Sequence, residues 1–112
     1  QGLIPVVAGF QGVTVDGQLT TFGRGGSDIT AVALAVSLGA ERCDLYKDVP
    51  GILTADPRVV PQARLIPVMT GQEMLELSSL GAKVLQPRAV QMALNLGARL
   101  RILSTFEPGS GT

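Results

Sequence analysis

A chain of 112 residues holds one domain or part of one, and its nine basic residues balance nine acidic ones. With no net charge, no basic run and no aromatic residues interleaved with cations, nucleic acid is excluded as an expected partner. Histidine is absent and cysteine occurs once, which excludes Ser-His-Asp and Cys-His catalysis, internal disulfides and cysteine-based zinc sites within the chain.

Apolar residues make up 46% and charged residues only 16%, little charge for a small free-standing domain. That balance reads as a piece of a larger protein whose neighbours cover some of its faces. The first residue is Gln1 rather than Met, which points the same way. No run approaches transmembrane length and no secretory signal is visible. The lone Cys43 suits the cytoplasm and reads as packing.

In chain order, Leu3 to Ala8 is a continuous apolar run ending at Gly9, the pattern of a buried parallel strand. Asp16-Gly17 between two β-prone stretches predicts a hairpin. The hairpin leads into Phe22-Gly23-Arg24-Gly25-Gly26-Ser27-Asp28. Three glycines let backbone approach a ligand closely, and Arg24 offers a planar fork for a carboxylate or phosphate. A helix follows from about Asp28 to Leu38, capped by Gly26 or Ser27 and stopped by Gly39. Its Ile29, Val32, Ala33 and Val36 form one face, while Ala31, Leu34, Ala35 and Leu38 make the other side apolar too.

Arg42 to Tyr46 reads as a strand ending at Lys47-Asp48, and residues 48–58 as a loop punctuated by Pro50, Gly51 and Pro57. Thr70-Gly71-Gln72-Glu73 is a capping box opening a helix that Gly81 ends. Pro87 fits the first turn of another helix, which stops at Gly97. Leu100 and Ile102, alternating with Arg99 and Arg101, give a last strand, and residues 108–112 read as a linker. Strands alternating with helices predict an α/β fold: a three-layer αβα sandwich around a mainly parallel sheet, with a β-hairpin. In such sheets ligands sit beyond the carboxyl ends of the strands.

The glycine loop fails two familiar fingerprints. Asp28 stands where a dinucleotide motif needs its third glycine, so a nicotinamide-binding reading is weak, and no Gly-Lys-Ser/Thr exists for a Walker loop. The loop alone is also compatible with a plain turn before a helix. Lys47-Asp48, Arg58 and Lys83 add charge in loops that could converge on a nucleotide, though each alone reads as a solvated side chain.

Taken together, these stretches resemble the aspartokinases of the amino acid kinase family. The resemblance rests on Phe10-Gln11-Gly12, on Thr21 to Asp28, on Asp48-Val49-Pro50-Gly51-Ile52 with Thr54 to Arg58, and on Leu80 to Pro87. It covers nearly the whole chain in the family's order and spacing. Sister kinases acting on acetylglutamate, glutamate, carbamate or uridylate share the fold but lack this Gly-Arg-Gly-Gly-Ser-Asp.

The resemblance implies transfer of the ATP γ-phosphoryl group to the side-chain carboxylate of L-aspartate, giving 4-phospho-L-aspartate on the route to lysine, threonine and methionine. A carboxylate is already ionised at neutral pH, so this acceptor needs no general base and the absence of histidine is no obstacle. The task is to bring two anions together by positioning and by neutralisation with Arg, Lys, helix N-termini and Mg²⁺. By resemblance, Asp28 and Lys83 are the catalytic positions. Phe10, Arg24, Ser27 and Asp28 line the substrate pocket, with Arg24 as the carboxylate clamp. Lys47, Asp48, Leu53, Arg58, Lys83 and Val84 border the nucleotide, and no metal ligand is assigned. The family's aspartate at the position of Asp28 also holds an active-site lysine. Two positions depart from the commonest pattern: Lys47 stands where threonine is frequent, and Leu53 where tyrosine is frequent.

The family's Lys-Phe-Gly-Gly-Thr-Ser motif is not in this sequence. The resemblance therefore makes residues 1–107 the C-terminal, nucleotide-binding half of a kinase domain and residues 108–112 the start of a linker. Implied partners are an N-terminal half, regulatory ACT domains that bind amino-acid effectors, and further copies in a homo-oligomer. The fragment alone is expected to be inactive. The alternative is a catalytically silent fragment that binds nucleotide or assembles without turnover.

Overall fold

The computed structural model describes residues 2–112. Two short strands, β1 (Gln11–Val13) and β2 (Leu19–Thr21), pair antiparallel with Gly12 opposite Thr20. The predicted Asp16-Gly17 hairpin forms: Thr14 and Gln18 are bonded, Gly17 N–H donates to the Thr14 carbonyl, and Gly17 takes a left-handed conformation. A turn followed by a left-handed residue matches the twist of the flanking strands.

Helix α1 (Gly26–Ser37) begins two residues earlier than the apolar pattern suggests. Its N-cap is Gly25 in the left-handed region, with no side-chain cap, so Ser27 lies inside the first turn rather than capping it. Gly39, at φ 60°, stops the helix as expected. Ile29 and Val32 are buried, whereas Ala33 to Val36 are half-buried and Leu38 is exposed. The second apolar side of α1 is thus only partly covered.

Strand β3 (Cys43–Lys47) pairs in parallel with β4 (Leu100–Ser104), placing Cys43 beside Leu100 and Leu45 beside Ile102. Side chains alternate across a strand, so these four share one face. Between the strands come α2 (Gly71–Ser79) and α3 (Pro87–Leu96). The Thr70–Glu73 capping box is complete, with Thr70 accepting from the Glu73 amide and Glu73 accepting from the Thr70 amide at 2.7 Å. Pro87 occupies the first turn of α3, and Gly97 ends it in the left-handed region.

Helix α3 is the central strut. Ile29 and Val32 of α1 meet Ala89 and Ala93 of α3 in one apolar cluster. Val90, on the adjoining face, joins Cys43, Leu45, Ile102, Met74 of α2 and loop residues Ile52 and Leu85 in a second. Burying a valine as completely as Val32 or Val90 stabilises the fold by about 1.5–3 kcal/mol. The architecture is the expected α/β arrangement with a parallel pair and a hairpin. Cys43, Leu45 and Ile102 pack with Ala31 of α1, Met74 of α2 and Val90 of α3, whereas the other face of β3–β4 carries Asp44, bonded to Arg101, an exposed Tyr46 and a buried Leu103.

Two segments differ from the sequence reading. Leu3 to Ala8 lies outside any strand, with Leu3, Ile4 and Val6 about nine-tenths exposed. An apolar run becomes a strand only when another strand satisfies its backbone, and among the described residues none pairs with it. At the other end, linker-like composition gives way to docking. Thr112 exchanges both backbone hydrogen bonds with Ile102, at 3.0 and 3.1 Å, and its hydroxyl donates to Ile66 O and accepts from Ile52 N–H. Gly111 is required there, because a Cβ would stand 2.0 Å from the Ile102 carbonyl. Among the described residues no helix is long and apolar enough to cross a membrane.

Candidate functional site

The carboxyl end of β3, the start of α1 and the start of α3 meet at one place, and Asp28 is the residue that joins them. It sits in the first turn of α1 and is almost wholly buried. Its Oδ1 receives the Lys47 ammonium from the end of β3 at 2.6 Å. Its Oδ2 accepts the backbone N–H of Gln86 at 3.2 Å. Gln86 in turn caps α3, its side-chain oxygen accepting from the Arg88 and Ala89 amides. One carboxylate thus ties together two helix N-termini and a strand end. Helix N-termini carry partial positive charge, so this crevice favours anions.

The glycine loop is shaped by the same contacts. Gly25, at φ 75°, opens α1 in a conformation that L side chains disfavour, and a Cβ there would stand 2.7 Å from Gln86 Cγ. Removing the side chain is what lets the two helix starts approach. Arg88 reaches back from α3 to donate to the Phe22 carbonyl at 2.6 Å. Phe10 adopts φ 72°, unusual for a bulky residue. Its carbonyl accepts from Phe22 N–H at 3.0 Å, and its own N–H reaches Thr30 Oγ1 at 3.2 Å. Phe10 and Phe22 both crowd Gly26, where an added Cβ would lie 2.6 Å from Phe22 Cβ.

Of the residues singled out from the sequence, Asp28 and Lys47 come into direct contact, and Phe10 lies against the glycine loop. Arg24 and Ser27 are exposed on that loop and first turn; among the described residues Arg24 makes no ion pair. Asp48 follows Lys47 and is exposed. Leu53 is half-buried and bridges Leu65. Arg58 is bound in a fork to Asp56, at 2.7 and 3.0 Å, and is otherwise solvent-exposed. The Arg58 guanidinium holds the Asp56 carboxyl down at about 2. Lys83 is exposed, whereas its neighbour Val84 packs on the central core.

Gln86, Arg88 and Thr30 were not singled out from the sequence. Gln86 carried a signal, since it precedes the helix-opening Pro87 where an N-cap belongs. Arg88 carried none, because its partner is a backbone carbonyl 66 residues earlier. A cleft of about 360 Å³ lies elsewhere, between α2 and the Ile66–Met69 stretch. Among the described residues no three acidic, histidine or cysteine groups cluster to hold a metal ion.

Comparison with known proteins places these features in a lineage. The model of the amino acid kinase family matches residues 1–104. An aspartokinase of Pseudomonas aeruginosa is 57% identical over 111 residues, covering 99% of this chain and 27% of its own length. An aspartokinase of Geobacillus stearothermophilus is 56% identical over 112 residues, 100% of this chain and 28% of its own. The chain therefore spans about a quarter of the length of the curated relatives it matches. Among solved structures, E. coli aspartokinase III in complex with aspartate and ADP superposes with a TM-score of 0.86 at 44% identity, covering 93% of this chain and 24% of that one. A UMP kinase from Bacillus anthracis shares the fold, with a TM-score of 0.66 at 19% identity.

Proposed function

This chain belongs to the amino acid kinase family, and from that premise we propose that it is the C-terminal, nucleotide-binding half of an aspartate kinase domain. The reaction is transfer of the ATP γ-phosphoryl group to the side-chain carboxylate of L-aspartate, giving 4-phospho-L-aspartate, the entry to lysine, threonine and methionine synthesis in the cytoplasm. The observation that carries this reading is 57% identity to an aspartokinase across essentially the whole chain. The solved relative named as a complex with aspartate and ADP supports the pair of ligands.

The residues supply the chemistry this transfer needs. The acceptor carboxylate arrives ionised, and the obstacle is repulsion between it and the nucleotide phosphates. Arg24, at the apex of the glycine loop, clamps the substrate carboxylate through its planar fork. Phe10 and Ser27 wall the same pocket. Asp28 orders the crevice by holding Lys47 and the start of α3. Asp48, Leu53 and Val84 border the nucleotide, with Arg58 and Lys83 as cations toward its phosphates. Mg²⁺ would enter with the nucleotide and would neutralise charge on its phosphates during transfer.

The remainder of the kinase domain and ACT regulatory domains, in a homo-oligomeric enzyme, complete the reading. The alternative is a catalytically silent fragment that binds or assembles without turnover. Hydroxylamine trapping of the acyl phosphate separates the two. The longer enzyme should form aspartyl hydroxamate only with both ATP and L-aspartate, and this chain alone should form none. Turnover by the isolated chain would overturn the half-site reading, and absence of product from the longer enzyme would overturn the kinase reading.

A further inference from the structure

We infer that Thr112 is a positioning residue for the nucleotide side of the site, its hydroxyl pinning the loop that carries Asp48 and Leu53; this inference rests on the aspartate kinase reading above. Residues 108–112 have the composition of a linker, yet Thr112 acts as a clasp. Its hydroxyl accepts from Ile52 N–H at 2.8 Å and donates to the Ile66 carbonyl at 2.7 Å. Ile66 N–H closes the ring by donating to the Ile52 carbonyl at 2.8 Å. The Thr112 backbone is itself fixed to Ile102 of β4 by two hydrogen bonds.

Residues 48–51 therefore span two fixed points. At one, Thr105 N–H donates to the Lys47 carbonyl at 2.8 Å, where β3 ends. At the other, the Thr112 hydroxyl holds Ile52 N–H. Asp48 directly follows the first point and Leu53 the second. Gly51 permits the approach, since a Cβ there would stand 2.6 Å from Thr112 Oγ1. A hydroxyl has one proton to give and lone pairs to accept with, so one side chain serves both an amide and a carbonyl. A methyl in its place serves neither, and leaves the amide of the buried Ile52 without this partner. The loop relieves that cost by moving, and Asp48 and Leu53 move with it. The hydrogen bonds of Thr112 go to Ile52, Ile66 and Ile102, none to α1 or α3 among the described residues. Arg24, Ser27 and Asp28 therefore keep their places.

The experiment uses the longer enzyme carrying T112V, which keeps the shape and loses the hydroxyl, and T112S, which keeps the hydroxyl. Steady-state kinetics, the Kd for ADP by calorimetry and the melting temperature are recorded for both. T112V should raise the KM for ATP and the Kd for ADP by about fivefold or more, with the KM for aspartate within about twofold of the parent. T112S should return both nucleotide constants to within about twofold. Should T112V fail to fold, T112A replaces it with the same expected split, and failure of both to fold would overturn the inference in favour of a purely structural clasp. A lowered melting temperature with parent-like nucleotide constants would overturn it in the same way. A raised KM for aspartate with nucleotide constants unchanged, or T112S as impaired as T112V, would also overturn it. If the parent enzyme turns over no aspartate with ATP, the functional reading fails and this inference with it. If the parent is active and T112V matches it, this inference alone fails.

Discussion

The Lys47 ammonium and the Asp28 carboxylate, 19 residues apart in sequence, meet at 2.6 Å where the end of β3 faces the first turn of α1. Breaking this pair from the carboxylate side leaves a largely buried ammonium without its partner. Such losses cost about 3–5 kcal/mol when both groups are buried, and Lys47 keeps about a quarter of its side chain exposed. Asp28→Ala is therefore expected to destabilise the protein by about 3 kcal/mol, the low end of that range. Urea denaturation of parent and variant checks it. A change below about 0.5 kcal/mol would show that solvent already screens the pair.

Gly25 is where two helix starts touch. Gly25→Ala imposes a left-handed alanine and drives its Cβ to 2.7 Å from Gln86 Cγ. The backbone alone costs about 1–2 kcal/mol, and displacing Gln86 adds to it. The variant should melt lower and lose activity in the longer enzyme. Gly109→Ala, where nothing lies within 4 Å of an added Cβ, is the control and should match the parent. Equal melting temperatures for all three proteins would contradict the close approach.

Those two helix starts also mark the boundary of what the sequence made legible. The Asp16-Gly17 hairpin, the Thr70–Glu73 capping box, Pro87 opening α3, and Gly39 and Gly97 closing helices are all signals contained within a few residues. Each appears in the structure as read. What escaped needs partners far along the chain. Leu3 to Ala8 has the composition of a buried strand, but a strand exists only beside another, and none of the described residues supplies one. Ser27 looks like an N-cap, yet Gly25 takes that position because its left-handed turn brings α1 up to Gln86. Lys47 reads as part of a loop rim because its partner belongs to a different element. The same holds for Arg88, whose acceptor is a carbonyl.

Arg88→Ala removes the 2.6 Å bond to the Phe22 carbonyl that braces the glycine loop from α3. A hydrogen bond with a charged donor contributes about 1.5–3 kcal/mol, and the exposure of Arg88 places this one near or below the low end. The expected signature is local: faster amide exchange at Gly26, whose N–H bonds the Gly23 carbonyl, with little change in α2. Unchanged exchange at Gly26 would mean the loop holds its own shape.

Acid should weaken the sheet at a definable place. Asp44 accepts from Arg101 and Arg42, and the hydrogen bond from Arg101, chiefly, holds its carboxyl below the usual carboxylate range. A folded-state value below the unfolded one contributes stability that is fully present above about pH 4 and is lost as pH falls through the folded value. Urea midpoints measured from pH 7 downward should therefore drop below about pH 4, and Asp44→Asn should flatten part of that drop. Identical acid limbs for parent and variant would show that Asp44 is not linked to folding.

The most direct test falls on Arg24. If its planar fork clamps the acceptor carboxylate, Arg24→Lys in the longer enzyme keeps the charge and loses the two-point grip. The KM for L-aspartate should rise, or kcat should fall, by about tenfold or more, with a milder change in the KM for ATP. Parent-like aspartate KM and kcat in that variant would contradict the clamp and the carboxylate seat built around it.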